Sequence, residues 1–502
     1  MSRPDPFAIP AIRTCLLPSM LAAVAMTLAS PAIAATASLP DTPVGKLGSE
    51  LIRHVGSDDA QQIRNWASTI LSPAVAANDK ADFTTNLVAA ARDAGGVELV
   101  DARSDPRQPG LLQLAVKGRR GGRMAVWVLA ADPAHPGLLA QAAAFPMDDP
   151  SLYAAWPKEA VSRPAMKQLV ETTLDQLVRT ADFSGCVTVV DARETIVDAC
   201  RGFADRRFGV PIDRQTRFHI ASIGKMFTAV AIAQLVEAGK LSWDATLDSL
   251  VPEYPDHATA KTITVWQLAH HTAGLGDFMV PEFFAHRETF VDPADYLELI
   301  ARQPKVGEPG KDWNYSNAGY VLLGRIIENV SHENYFDYIQ RHVFTPAGMT
   351  ASGFDSPEDV TPKLAVGYFH DGLFSTAWKT DAYKAGFKGS PAGGGYSNNT
   401  DLVKFARALR DGKLLKPATL EKMFDDGVPA GPGAYAVGFG DRPSHGRHIR
   451  GHAGSIEGTD ANLQMVWENG AAVVLTSNEG PSQTWMLAEH IADLLAADGA
   501  KP

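Results

Sequence analysis

The sequence predicts an α+β protein in two units, and three observations carry that prediction. Between about 48 and 145, stretches with helical spacing precede four short strand-like runs. From about Met166 onward there follow an alternating hairpin, a helical middle, three more strand-like runs and a closing helix. Within that helical middle, residues 223–236 are apolar on nearly every face and hold one charge, Lys225. The hairpin and the C-terminal strands are expected to join one antiparallel sheet, with the middle helices packed beside it as a helical subdomain.

Taken in order, the chain opens with a targeting pattern. Arg3 and Arg13 precede the apolar run CLLPSMLAAVAMTLASPAIAA, and Ala32-Ile33-Ala34 supplies a small-x-small cleavage site. Residues 1–34 are therefore expected to be a signal peptide. Pro18 and Pro31 interrupt the run and leave it short for a membrane anchor, and Cys15 lies at its start, away from any lipoprotein cleavage position. No later segment reaches the roughly 18 uncharged apolar residues of a span. The mature chain is expected to be exported, periplasmic or secreted, with no stable membrane span.

Residues 35–48, rich in Ala, Thr, Pro and Gly, read as a linker. In the 48–150 unit, QQIRNWASTIL and DFTTNLVAAARDAG have helical spacing, and GVELVDAR, LLQLAVKG, RMAVWVLA and LLAQAAAF read as strands. The block resembles the small curved-sheet α+β domains of the nuclear transport factor type. It shows no nucleophile–base pairing, and Arg119, Arg120 and Arg123 read as a solvated hairpin tip. Docking of a cell-wall or protein partner by this accessory unit is left open.

MDDPSLYAAWPKEAVSRP reads as a connector to the second unit, 166–502. This opens with a helix over 166–180 and then VTVVDARETIVDA, a hairpin turning near Ala192-Arg193 and flanked by Cys186 and Cys200. In an oxidising compartment a cross-strand disulfide and two free buried thiols both fit. Two cysteines with no histidine cluster beside them do not make a zinc site.

The chemistry gathers in three places. Ser222 and Lys225 form a Ser-x-x-Lys tetrad at a helix start, one turn apart on one face. A serine hydroxyl is a weak nucleophile until a base takes its proton, and a buried lysine whose pKa falls from about 10.4 toward neutrality is such a base. Some ninety residues on, Tyr315-Ser316-Asn317 sits on a loop feeding a helix. A tyrosine held against a lysine shares its proton, and the asparagine beside it can orient a substrate amide. Tyr396-Ser397-Asn398 repeats the pattern, but the preceding glycine run reads as a structural turn. Last, His452-Ala453-Gly454 lies between strand-like runs, where Gly454 permits close approach of a substrate backbone, and His452 and Gly454 are expected to contact substrate.

These motifs, in this order, resemble the penicillin-recognising serine hydrolases: class C β-lactamases, DD-carboxypeptidases, D-aminopeptidases and related esterases. The resemblance extends over about 166–495 and includes TITVWQLAHHTAGL and AGGGYSNNTDLVKFARAL. It implies a β-lactamase/transpeptidase-like fold with Ser222 as acylated nucleophile and Lys225 as its base. Tyr315 would move protons to and from leaving group and water, and Asn317 would bind the acyl side. The backbone N–H groups of Ser222 and Ser455 would form the oxyanion hole.

One departure qualifies the resemblance. β-Lactamases of this branch usually carry Lys-Thr-Gly where this chain has His452-Ala453-Gly454, so a permanent cation for a β-lactam carboxylate is missing. Esters or D-amino-acid peptides and amides are therefore expected ahead of β-lactams. The alternatives are a class C-like β-lactamase or penicillin-binding DD-carboxypeptidase, and a non-catalytic binder keeping the fold. The intact Ser222, Lys225 and Tyr315 set favours an enzyme. No cofactor or metal is expected: His270 and His271 are adjacent, do not share a face, and read as a structural turn. Asp277 and Glu457 read as solvated loop residues. A formal net charge of −11 without a basic run speaks against nucleic acid as a partner and for a small-molecule or peptide-like substrate.

Overall fold

The computed structural model describes residues 38–105, 108–180, 183–356, 358–381, 388–431, 433–481 and 485–499. The expected signal peptide, 1–34, lies outside the described residues. Two compact units emerge. No helix among the described residues is long and apolar enough to cross a membrane.

In the smaller unit, three helices, Pro43–Val55, Ala60–Ile70 and Ala77–Ala94, precede a four-stranded antiparallel meander, Val97–Asp105, Gln108–Gly118, Met124–Ala131 and Leu139–Met147. The first helix starts inside the segment expected to be linker. Thr42 Oγ1 accepts the Gly45 N–H at 3.2 Å, Pro43 fits the first turn, and Val44, Leu47 and Leu51 are buried. A second correction concerns residues 370–379, which the sequence placed with the larger unit but which belong to this one. Leu373 and Phe374 join its core, and a Cβ on Gly118 would meet the Phe374 ring at 2.9 Å. At the arginine hairpin tip, Arg120 donates to the Arg92 carbonyl at 2.9 Å, so the tip is partly tied to the helix Ala77–Ala94.

The larger unit has the expected α+β plan. Its sheet runs Val428–Ala430, Gly433–Tyr435, Gly440–Ser444, Arg447–Ile456, Thr459–Val466, Ala471–Ser477, Gly185–Val190, Thr195–Arg201, antiparallel throughout. The unit's first hairpin thus lies beside its last strand, with Val190 opposite Ala472 and Gly185 opposite Ser477. Helix Gly224–Glu237 is buried on nearly all sides, and Phe227 meets Phe344 and Phe405 edge-on at 4.9 Å each. An all-round apolar helix has nowhere to sit but a core.

Cys186 and Cys200 face each other directly across the first hairpin, 4.1 Å apart at Cα, and their sulfurs are bonded. Closing a loop with a sequence separation of 14 should contribute about 3 kcal/mol. Denaturant unfolding of Cys186→Ser should show a loss of that order. Alkylation of both positions in unreduced, denatured protein would contradict the bond.

Candidate active site

Ser222 stands on a single 3₁₀ turn, Ala221–Ile223, that runs straight into helix Gly224–Glu237. Ala221 carries φ +43°, a left-handed conformation that a residue with a side chain adopts only when its surroundings impose it. Those surroundings are the glycine run 393–395. The Gly394 N–H donates to the Ala221 carbonyl at 3.0 Å, the Ile220 N–H to the Gly395 carbonyl at 3.2 Å. A Cβ on Gly393 would lie 2.8 Å from the Ala221 oxygen, so only glycine lets the two backbones meet. Tyr396, the repeated tyrosine, pairs in a strand with His219 and packs on Gly353.

Lys225 is fully buried and, among the described residues, has no ion pair. Its Nζ donates to Ser222 Oγ at 3.2 Å, to Asn317 Oδ1 at 2.8 Å and to the Ala392 carbonyl. Burial lowers its pKa to about 7, with the Asp277 carboxylate working the other way. A free amine is therefore available near neutrality within hydrogen-bond reach of a serine hydroxyl.

Tyr315 and Asn317 come from the loop entering helix Asn317–Ser331, which Ser316 caps by accepting the Gly319 N–H at 3.1 Å. The Tyr315 ring centroid is 4.7 Å from Lys225 Nζ. Burial holds the phenol well above its ordinary pKa, against a lowering hydrogen bond with Ser222, so it stays protonated at neutral pH. The site thus brings Ser222, Lys225, Tyr315 and Asn317 together.

The strand Arg447–Ile456 closes the other side. A Cβ on Gly454 would lie 2.4 Å from the Ile220 carbonyl and 2.7 Å from Ser222 N. The strand backbone therefore passes directly beside the Ser222 N–H, and the exposed Ser455 follows. His452 differs from the expected substrate contact. It is buried, its Nδ1 lies 2.5 Å from the Ala453 carbonyl and its Nε2 3.1 Å from Tyr435 Oη. Nδ1 must carry the proton and Nε2 accept the tyrosine O–H. Burial, with Lys225 nearby, depresses its pKa to about 3, so it is a neutral group with both nitrogens engaged.

Three residues were not legible as site members. Tyr435 lies on a three-residue strand that gives no sequence signal. His271 is part of the expected turn but also braces the tyrosine loop: its Nδ1 accepts the Ser316 N–H at 3.0 Å, and its ring lies 4.4 Å from that of Tyr315. Asp277, read as solvated, is half-buried and accepts from Asn317 Nδ2 at 2.9 Å and its N–H at 3.2 Å. A carboxylate in the short apolar stretch GLGDFM was the available clue. Glu457 is half-buried just beyond Ser455. Among the described residues no group of three or more His, Cys, Asp or Glu is disposed to hold a metal.

The larger unit is similar to known proteins. The family described as Beta-lactamase matches residues 170–497. The putative penicillin-binding protein PbpX of Bacillus subtilis is 33% identical over 269 residues, 53% of this chain and 64% of that protein, so the match spans just under two thirds of its length. Lovastatin esterase of Penicillium rubens is 28% identical over 292 residues, 52% of this chain and 71% of the esterase. The D-amino acid amidase of Ochrobactrum anthropi SV3 superposes with a TM-score of 0.56 at 26% identity, over 66% of this chain and 99% of the amidase.

The tight passage at Gly454 is directly testable. Gly454→Ala should slow fluorophosphonate modification of Ser222 by about 10²-fold, the loss expected if the Ser222 N–H serves as an oxyanion donor, while circular dichroism still reports a folded chain. An unchanged labelling rate would contradict the close approach.

Proposed function

The chain belongs to the beta-lactamase family and is a serine hydrolase of that superfamily, and we propose that it works through an acyl-enzyme on Ser222, with uncharged esters or D-amino-acid amides and peptides as substrates. The observation that carries this reading is the fully buried Lys225, without an ion pair among the described residues and 3.2 Å from Ser222 Oγ. Neutral Lys225 takes the Oγ proton as Oγ attacks the substrate carbonyl. The oxyanion faces the N–H groups of Ser222 and Ser455. Tyr315, protonated at neutral pH, gives its proton to the leaving group. In deacylation the resulting phenolate accepts a proton from water, and Lys225 returns its own to Ser222 Oγ. Ser222, Lys225 and Tyr315 thereby each regain their starting protonation state, one water having been consumed.

The substrate class follows from what the site lacks. His452 is neutral and its nitrogens are taken, so it offers no cation to a β-lactam carboxylate. Losing one charge-assisted hydrogen bond is worth about 1.5–3 kcal/mol, or roughly ten- to hundred-fold in rate. A neutral ester or amide needs no such partner. Met279, exposed and 3.3 Å from Asn317 Nδ2, supplies apolar surface for an acyl chain. The lovastatin esterase and D-amino acid amidase relatives support the same ranking. The apolar N-terminal run and the bonded cysteines support export to a periplasmic or extracellular compartment.

Side-by-side kcat/KM values for p-nitrophenyl esters, D-amino-acid amides and a chromogenic cephalosporin test the ranking. An ester or amide should lead, and Ser222→Ala should cut its turnover by about 10³-fold or more. Faster hydrolysis of the cephalosporin than of every ester and amide would overturn the ranking. Because Lys225 must be unprotonated to act, kcat/KM should rise with pH along a limb centred near its pKa of about 7. A flat profile from pH 5 to 8 would contradict lysine as the base.

A further inference from the structure

We infer that Asp277 is a positioning residue of the acylation site: its carboxylate fixes the Asn317 amide so that Oδ1 faces Lys225, and it places the negative charge that Lys225 meets there. The inference rests on the acyl-enzyme reading of Ser222 and Lys225. Its basis is a continuous run of contacts. Asp277 Oδ1 accepts the Met279 N–H at 3.0 Å, which pins the carboxylate to its own loop. Asp277 Oδ2 accepts from Asn317 Nδ2 at 2.9 Å and from its backbone N–H at 3.2 Å. Asn317 Nδ2 also donates to Met279 Sδ at 3.3 Å, which leaves Oδ1 for the Lys225 ammonium at 2.8 Å.

The amide's orientation is therefore determined. Flipped, it would set two N–H donors against Lys225, which is donor-only when charged, and its oxygen against a carboxylate, which is acceptor-only. Without Asp277 both orientations lose their distinction on that side, and the oxygen that holds Lys225 beside Ser222 is no longer fixed. The weak thioether contact is the one Asn317 gives up when its N–H turns to a substrate carbonyl, so Asp277 keeps the amide aligned through that exchange.

Charge follows the same path. The groups facing Lys225 are Ser222 on the 3₁₀ turn before its helix, His271 and Asp277 on the 271–279 segment, Tyr315, Asn317 and Tyr320 around the helix Asn317–Ser331, the Ala392 carbonyl, and His452 on the sheet. Both histidines are held neutral by burial and by Lys225 itself, and both tyrosines are held protonated. Asp277 is the group that favours the ammonium over the amine. Removing its charge lets burial lower Lys225 further, so the limb along which the base becomes active moves to lower pH.

The test is the pH dependence of Ser222 labelling by a fluorophosphonate, read by peptide mass spectrometry in wild type, Asp277→Asn and Asp277→Glu. In Asp277→Asn the limb should move acidward by at least half a pH unit and the plateau fall about ten-fold, the lower end for a charged hydrogen bond. Asp277→Glu keeps the charge but not the reach, so its limb should stay near wild type while its plateau falls. A residue that only holds the loop's shape would lower both plateaus and move neither limb. Limbs that superpose in all three proteins overturn the inference, and Asp277→Ala gives the same limb reading if the Asn variant does not fold. Label in wild type on a residue other than Ser222 overturns the acyl-enzyme reading instead, so the two failures are distinguishable.

Discussion

The constraint on which this site depends is an amino group buried in an apolar helix with no ion-pair partner among the described residues. An ammonium removed from water and left unpaired is destabilised by several kcal/mol, and the remedies are a partner carboxylate or loss of the proton. Here the nearest carboxylate, Asp277, acts through an intervening amide. The three acceptors around Lys225 Nζ, from Ser222, Asn317 and Ala392, are all uncharged. The group is thus satisfied as a hydrogen-bond donor but not neutralised as a charge, and a pKa of about 7 follows. A direct ion pair would have held Lys225 as a permanent cation.

The rest of the site can be understood as keeping other charges out. Tyr315, Tyr320 and Tyr435 are all pushed above the ordinary phenol range by burial, and His271 and His452 below the imidazole range. A second cation at position 452 would depress Lys225 further while attracting an anionic substrate. The histidine, tied to Tyr435 and to the Ala453 carbonyl, is neutral and adds no such charge. Geometry imposes a parallel demand on the backbone. Ala221 is held left-handed, and Gly393 and Gly454 approach the Ser222 turn closer than any Cβ allows. The strain at Ala221 is sustained by the hydrogen bonds from the glycine run.

What the sequence made legible is what has a local signature. A lone charge in an all-round apolar helix marks Lys225, and its one-turn spacing from Ser222 is a property of any helix. The alternating hairpin placed Cys186 opposite Cys200, and the α+β plan of the larger unit followed from strand-like runs at its two ends. Long-range features stayed hidden. Tyr435 occupies a strand too short for periodicity, and the apolar stretch around Asp277 hints at burial but not at its partner Asn317, forty residues later. The helix from Pro43 looked like linker because small residues and one proline dilute its apolar stripe. Leu373 and Phe374 complete a core built by residues far earlier in the chain, which no local pattern announces.

The central claim, that Lys225 is a neutral base at physiological pH, is open to direct titration. Protein labelled with ¹³C at the lysine ε-carbons can be followed by NMR across pH 5–11, with Lys225→Met identifying the signal. The account predicts one lysine signal titrating near pH 7, absent from the variant, while the others titrate near the ordinary value of about 10.4. A Lys225 signal that stays protonated up to pH 10 would contradict it.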